Sequence, residues 1–226
     1  MHCLWCDTAI IPQINWHNVL LDKRQLLCTE CAQRLEMLGG RRCRKCSRTS
    51  EKDVCSDCRA WNAYYDADDV LTFNYSIYTY NAFMQAILSR WKYRGDYCLG
   101  NMFAECFRQH FNHVFSFLPR DALIVPIPLS HKRLQERKFN QALMLARFLP
   151  GRKMHALTRI HGEKQSKKTR KERLLSTNPF QLQQAVHKPV VLVDDIYTTG
   201  TTVRHAAQLL RASGSPDVYA YTLIRG

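Results

Sequence analysis

The sequence predicts an α/β protein in which a parallel sheet carries helices on both faces, preceded by a small cysteine-rich module. Three observations carry that reading. From about residue 70 onward, short apolar or alternating runs take turns with stretches of helical periodicity, the order that βαβ units produce. Eight of the ten cysteines fall in the first 58 residues as four CxxC pairs. Finally, VVLVDDIYTTGTT at 190–202 runs an apolar strand into two acids and then into a turn of hydroxyls around one glycine.

The amino-terminal module comes first. Its pairs are Cys3/Cys6, Cys28/Cys31, Cys43/Cys46 and Cys55/Cys58. In a reducing compartment such pairs read as metal ligands rather than disulfides. Two CxxC knuckles present four thiolates in a tetrahedron, the donor set of closed structural zinc. Four knuckles make two zinc sites, and three pairings are open. The 8 residues between Cys46 and Cys55 suit a simple hairpin, which favours first with second and third with fourth. A segment this small needs the metal to fold. Residues 1–60 are therefore expected to form a double zinc ribbon, and 61–226 the α/β domain. Cys98 and Cys106 stand alone and read as buried small apolar groups.

VLTFNYSIYTY at 70–80 alternates, with Leu71, Phe73, Tyr75 and Ile77 on one face and Thr72, Asn74 and Ser76 on the other, as a half-buried strand or hairpin does. NAFMQAILSRWKY places Phe83, Ile87 and Trp91 at i+4 spacing, and Gly95 breaks that helix. A second helix is expected over 98–116, and ALIVPIP at 122–128 is a short apolar strand closed by prolines. ERKFNQALMLARFL begins an amphipathic helix, while 161–178 is polar enough for an exposed loop or frayed helix. Pro189 opens the strand VVLV, TTVRHAAQLLRASG is a helix stopped by Gly214, and VYAYTLI closes the domain as a strand.

At 226 residues the chain holds one good core plus a small module. Its longest apolar stretches are too short to span a membrane. The start MHCLWCDTAI lacks the basic-then-apolar design of a secretory signal, so a cytoplasmic location is expected. Net charge is +14, of which residues 131–174 supply +11, with 14 Lys/Arg against 3 Asp/Glu. Such a block suits a phosphate-bearing partner, either nucleic acid or a phosphorylated small molecule; a solvated basic loop is the alternative. Within it, Lys167, Lys168, Arg170 and Lys171 are the candidate DNA contacts. Trp61, Tyr64 and Tyr65 are either base-stacking rings or, the favoured reading, packing between module and core.

In an open parallel sheet, ligands sit beyond the carboxyl ends of the strands. A strand ending at Val193 delivers Asp194 and Asp195 to that edge, where vicinal ribose hydroxyls suit two acceptors. The turn after them opens a helix, whose free N–H groups and positive end make a phosphate cradle. Thr198, Thr199, Thr201 and Thr202 add hydroxyl donors, and Gly200 permits close backbone approach. Ribose with a 5′-phosphate is the implied ligand.

This stretch resembles the phosphoribosyl-pyrophosphate motif of type I phosphoribosyltransferases. With the cysteine knuckles, WKYRGD at 91–96 and VPIPLSHKRLQERKFNQA at 125–142, nearly the whole chain resembles the ComF/GntX family. The ERxFNQ hexad is the most specific signature. One position departs from the pattern, Lys138 standing where the family usually has glycine. The resemblance implies a phosphoribosyltransferase type I-like fold, with Asp194 and Asp195 on ribose hydroxyls and residues 198–202 on the 5′-phosphate. It puts Arg133 and Arg137 beside the pyrophosphate, with magnesium, and Gln165, Lys168 and Arg173 on a loop that closes over the site.

The resemblance also implies a role. A ComF/GntX-like chain is expected to be a competence factor for DNA uptake in natural transformation, binding single-stranded DNA. Its expected partners are the ATP-driven competence translocase ComFA and, peripherally, the membrane uptake machinery. The alternatives are an active phosphoribosyltransferase on an unknown acceptor, or a regulator that senses the ligand without turnover.

Overall fold

The computed structural model describes residues 1–11, 25–93, 95–160 and 177–226. Lys167, Lys168, Arg170, Lys171, Gln165 and Arg173 lie outside the described residues. In each cysteine segment a short helix starts directly after a cysteine that caps it, α1 (Thr29–Gln33) after Cys28 and α2 (Ser56–Tyr64) after Cys55. Then follow β1 (Asn74–Thr79), α3 (Ala82–Tyr93), a 3₁₀ segment (Tyr97–Phe103), α4 (Ala104–Val114) and β2 (Leu123–Pro126). Next come α5 (His131–Arg137), α6 (Gln141–Arg147), β3 (Arg152–Lys153), β4 (Leu157–Arg159) and β5 (Phe180–Leu182). The chain closes with β6 (Val190–Tyr197), α7 (Thr201–Ala212) and β7 (Val218–Arg225).

Among the described residues the main sheet has the order β1-β7-β6-β2-β3, and every adjacent pair is parallel. From β2 the chain moves outward to β3, yet β6 returns on the other side of β2. The strand order therefore reverses between β2 and β6, where open α/β sheets form a ligand crevice. The register deepens it: β2 ends at Pro126 opposite Val193, while β6 runs on to Tyr197 against β7. Asp194 and Asp195 sit inside β6 rather than beyond its end, along the edge that β2 leaves open.

Both faces of the sheet are covered, as a parallel sheet requires. On one face Phe83, Ile87 and Trp91 of α3, Phe107 and Phe111 of α4, and Met144 and Leu145 of α6 share a buried cluster with Ile124, Val191, Val193 and Tyr221. The other cluster joins Val203, Ala206 and Leu210 of α7, and Leu157 and Phe180 of the β4–β5 hairpin, to Val125, Val190, Leu192 and Ala220. The cysteine segments divide between them: Cys3 and Cys31 belong to the first cluster, while Cys43, Cys46, Cys55 and Cys58 belong to the second.

The same segments cover β1, which would otherwise be an open edge inviting another strand. The Leu38 N–H donates to Ile77 O, the Thr79 N–H to Glu36 O and the Asn74 N–H to Lys45 O. The alternation over 70–80 put Asn74 and Ser76 on a polar face, but both are fully buried. They satisfy each other and Thr222, with Ser76 Oγ 2.7 Å from Thr222 Oγ1 and Asn74 Nδ2 2.9 Å from Ser76 Oγ. A polar face on a strand does not imply water when a neighbour supplies the partners.

Three local expectations change. The helix expected over 98–116 opens as 3₁₀ and becomes α only from Ala104. Cys98 is exposed and Cys106 half-buried, not both buried. The ERKFNQALMLARFL helix is split: Lys138 takes a left-handed φ of 66°, and the Asn140 side chain accepts from the Ala142 and Leu143 N–H groups to start α6. The left-handed residue closing α5 explains why a glycine suits this position, since a β-carbon there costs about 1–2 kcal/mol. Lys138→Gly should raise stability by roughly 0.5–1 kcal/mol in urea melts, after the entropy a glycine adds to the unfolded chain. No helix among the described residues is long and apolar enough to cross a membrane.

Candidate functional site

The site is built where β6 outruns β2. Asp194 and Asp195 do not behave as twins. The Asp195 N–H donates to Asp194 Oδ1 at 2.9 Å, and the Asp195 carboxylate is ion-paired with Lys92 at the end of α3. Burial, followed by the neighbouring Asp195 charge, pushes the Asp194 carboxyl well above the usual range. Burial acts on Asp195 in the same direction, but the Lys92 ammonium and its hydrogen bond outweigh it and hold Asp195 below the usual range. The two carboxyls are therefore pushed apart, Asp194 toward its protonated form and Asp195 toward its ionised form, as two close like charges require.

Beyond the acids, the turn at 198–202 leads into the 12-residue helix α7. Gly200 has φ 82°, and a β-carbon there would collide with the Tyr197 hydroxyl and the Arg204 guanidinium. The glycine is needed both for its backbone and for the closeness of the layer beneath. The Thr199 and Thr201 hydroxyls are 2.9 Å apart, Thr201 is buried, and Thr198 is exposed at the tip. The first-turn amides of α7 carry the helix's positive end.

Cations gather on the facing side. Arg137 donates from Nη1 to Gln141 Oε1 at 3.1 Å, lies over the Tyr93 ring and helps hold Asp195 ionised. Arg133 lies one helical turn earlier in α5, its N–H received by the Ser130 hydroxyl that caps the helix. Burial, then the like charge of Arg133, pulls the Arg159 guanidinium down; Asp194 opposes this and Arg137 adds to it. Arg133, Arg137, Arg159 and Lys92 thus share one field with the acid pair. Anionic groups on a ligand with free hydroxyls would find donors on one side and carboxylates on the other.

The cysteines form two quartets. Cys3, Cys6, Cys28 and Cys31 bring their sulfurs within 4.8 Å of one another, and so do Cys43, Cys46, Cys55 and Cys58. This is the sequential pairing that the 8-residue gap favoured. Four thiols at that separation fit a closed tetrahedral metal site with no open position, a structural rather than catalytic arrangement.

No family model matches the chain. It is 39% identical over 228 residues to competence protein ComFC of Bacillus subtilis, spanning 99% of this chain and 94% of that protein. ComFC of Streptococcus pneumoniae is 31% identical over 229 residues, spanning 100% of both. The chain belongs to the ComFC family.

Other similarities are partial. The DNA utilization protein YhgH of Escherichia coli is 33% identical over 111 residues, 45% of this chain and 48% of that protein. A hypoxanthine phosphoribosyltransferase structure from Staphylococcus aureus overlaps 56% of this chain and 64% of its own, with 17% identity and a TM-score of 0.34. Two site residues of this ComFC-family chain were missed by sequence reasoning. Lys92 sits within WKYRGD, a stretch noticed only as a signature. Arg159 sits on β4 within the basic block, with no local pattern to single it out. Trp61 is 4% exposed and packs beneath the turn, the favoured reading, whereas Tyr64, expected to pack with it, is 58% exposed and Tyr65 half-buried.

Proposed function

We propose that this protein is a competence factor acting in DNA uptake, with a pocket that binds a ribose 5-phosphate ligand. The observation that carries the role is similarity to ComFC proteins along the whole chain rather than over a shared module. The ligand reading rests on the crevice between β2 and β6, where an acid pair and a helix start share the field of Lys92, Arg133, Arg137 and Arg159. Asp194 and Asp195 would take ribose hydroxyls, residues 198–202 the 5′-phosphate, and Arg133 and Arg137 a pyrophosphate accompanied by magnesium. Phosphoribosyl pyrophosphate has that chemistry. Zinc is the metal proposed for both quartets. Single-stranded DNA, the translocase ComFA and a peripheral contact with the membrane uptake machinery are the partners this role entails, and the cytoplasm its place.

The deciding experiment is a transformation assay of the Asp194→Ala/Asp195→Ala variant beside the wild type. A large drop in transformants, with the protein present at normal level, ties the pocket to DNA uptake. Unchanged transformation separates the two. Purified reduced protein should carry two zinc ions per chain, with Cys98→Ser and Cys106→Ser leaving that content unchanged; metal analysis below about 1.5 speaks against two closed sites. DNA binding should be insensitive to sequence and steeply salt-dependent. Replacing Lys167, Lys168, Arg170 and Lys171 by alanine should flatten the log–log salt slope by about one unit for each phosphate no longer neutralised. An unchanged slope moves the DNA surface elsewhere.

A further inference from the structure

The turn at 198–202 is held from beneath by the second cysteine segment. Trp61, on α2 six residues past Cys55, donates its Nε1–H to Thr199 O at 2.8 Å. Arg225, at the end of β7, donates from Nη1 to Tyr197 O at 3.0 Å and to Thr198 O at 2.9 Å. Its Nη2 lies 3.8 Å from the Cys46 sulfur. Arg204 completes the layer: it grips Asp69 through Nε and Nη2, reaches the Tyr197 hydroxyl at 2.7 Å and lies 4.6 Å from the centre of the Trp61 ring.

Three consecutive carbonyls, of Tyr197, Thr198 and Thr199, are thus received by side chains tied to the second quartet, Arg225 through its contact with Cys46 and Trp61 through the helix it shares with Cys58. In a planar trans peptide the C=O and the following N–H point opposite ways. Drawing those carbonyls down turns the N–H groups of Thr198, Thr199 and Gly200 up, where a phosphate would take them. Arg225 also sets a positive charge against the Cys46 sulfur. The first quartet has different neighbours. Its Trp5 packs edge-on to Phe83 at 5.2 Å, and the Trp5 carbonyl accepts from Arg90 at 3.0 Å, both on α3.

We propose that Trp61, Arg204 and Arg225 are positioning residues that join the second cysteine quartet to the phosphate turn, so that metal at the quartet and ligand at the turn strengthen each other's binding. This rests on the phosphoribosyl reading of the pocket. Coupling between two sites is reciprocal, so each occupant raises the other's affinity by the same factor.

The test measures zinc leaving the full-length protein into a coloured chelator, with and without saturating magnesium phosphoribosyl pyrophosphate, while calorimetry records ligand binding on the same samples. Ligand should slow the release of one of the two zinc ions about fivefold or more, the lower end of ordinary couplings. Cys6→Ser, which keeps only the second site, should retain the protection; Cys58→Ser, which keeps only the first, should lose it and bind ligand more weakly. Trp61→Phe keeps the ring but removes the donor, and should hold both zinc ions while the protection disappears. If Trp61→Phe unfolds, the Cys6→Ser and Cys58→Ser comparison decides alone. Ligand binding with no change in either release rate overturns the coupling and leaves the pocket intact, as does protection confined to the first site. A wild type that binds no ligand at millimolar concentration removes both readings.

Discussion

Replacing Asp69 by alanine should destabilise the fold by about 3–5 kcal/mol, the range for stripping one partner from a buried ion pair. Both side chains are out of water, at 1% exposure for Arg204 and 3% for Asp69. Asp69 takes two guanidinium nitrogens, at 3.0 and 2.6 Å. Burial alone would lower the Arg204 pKa, but Tyr197 and Asp69 reverse that and hold the guanidinium charged. Without Asp69 the cation faces the Tyr197 hydroxyl and the Trp61 ring, neither of which neutralises it. The same substitution should loosen the Gly200 turn, since Arg204 packs directly beneath it. Asp69→Ala/Arg204→Met separates the charge from the packing: removing both ions should recover much of the loss, because a buried pair is often matched by an apolar one. Urea melts of the two single variants and the double complete the cycle. A cycle that sums additively would mean that the pair contributes through shape alone.

How much of this could be read from the sequence varied with the range of the interaction. The strand–helix alternation, the acid pair and the hydroxyl turn are local patterns, so the parallel sheet and the place of the acids near its carboxyl edge were legible. The pairing of the cysteines was legible because 8 residues cannot reach far. What escaped depends on contacts between distant segments. Asn74 and Ser76 look like a wet face until Thr222, nearly 150 residues on, is placed beside them. Asp69 and Arg204 are 135 apart, and neither stands in a motif. Lys92 was in view within WKYRGD, but only the fold brings the end of α3 against β6. The acid pair itself was read as ending its strand, because nothing local tells that β7 keeps pairing after β2 has stopped.

The adjacent carboxylates should respond to neutralisation with opposite signs. Asp195 has a folded pKa below its ordinary value near 3.9. It therefore contributes stability above that value, and the contribution is lost as pH falls through the folded pKa. Asp195→Asn strands the Lys92 ammonium against a neutral amide and should lose about 1.5–3 kcal/mol at neutral pH. Asp194 has a raised folded pKa, so its contribution is present below about 3.9 and is lost as pH rises toward the folded value. Asp194→Asn should match the wild type near pH 4 and become the more stable protein above it, the gap widening by about 1.4 kcal/mol per pH unit until the folded pKa is passed. Both variants should nevertheless bind phosphoribosyl pyrophosphate more weakly, and so should Asp195→Ala, by roughly ten- to a hundredfold. Gly200→Val should abolish binding by displacing Tyr197 and Arg204 from beneath the turn. A stabilised but binding-defective Asp194→Asn is what a site under electrostatic strain for the sake of its ligand would give. Equal destabilisation by both asparagines would instead mean that the two acids share their charge evenly, and that Lys92 does not choose between them.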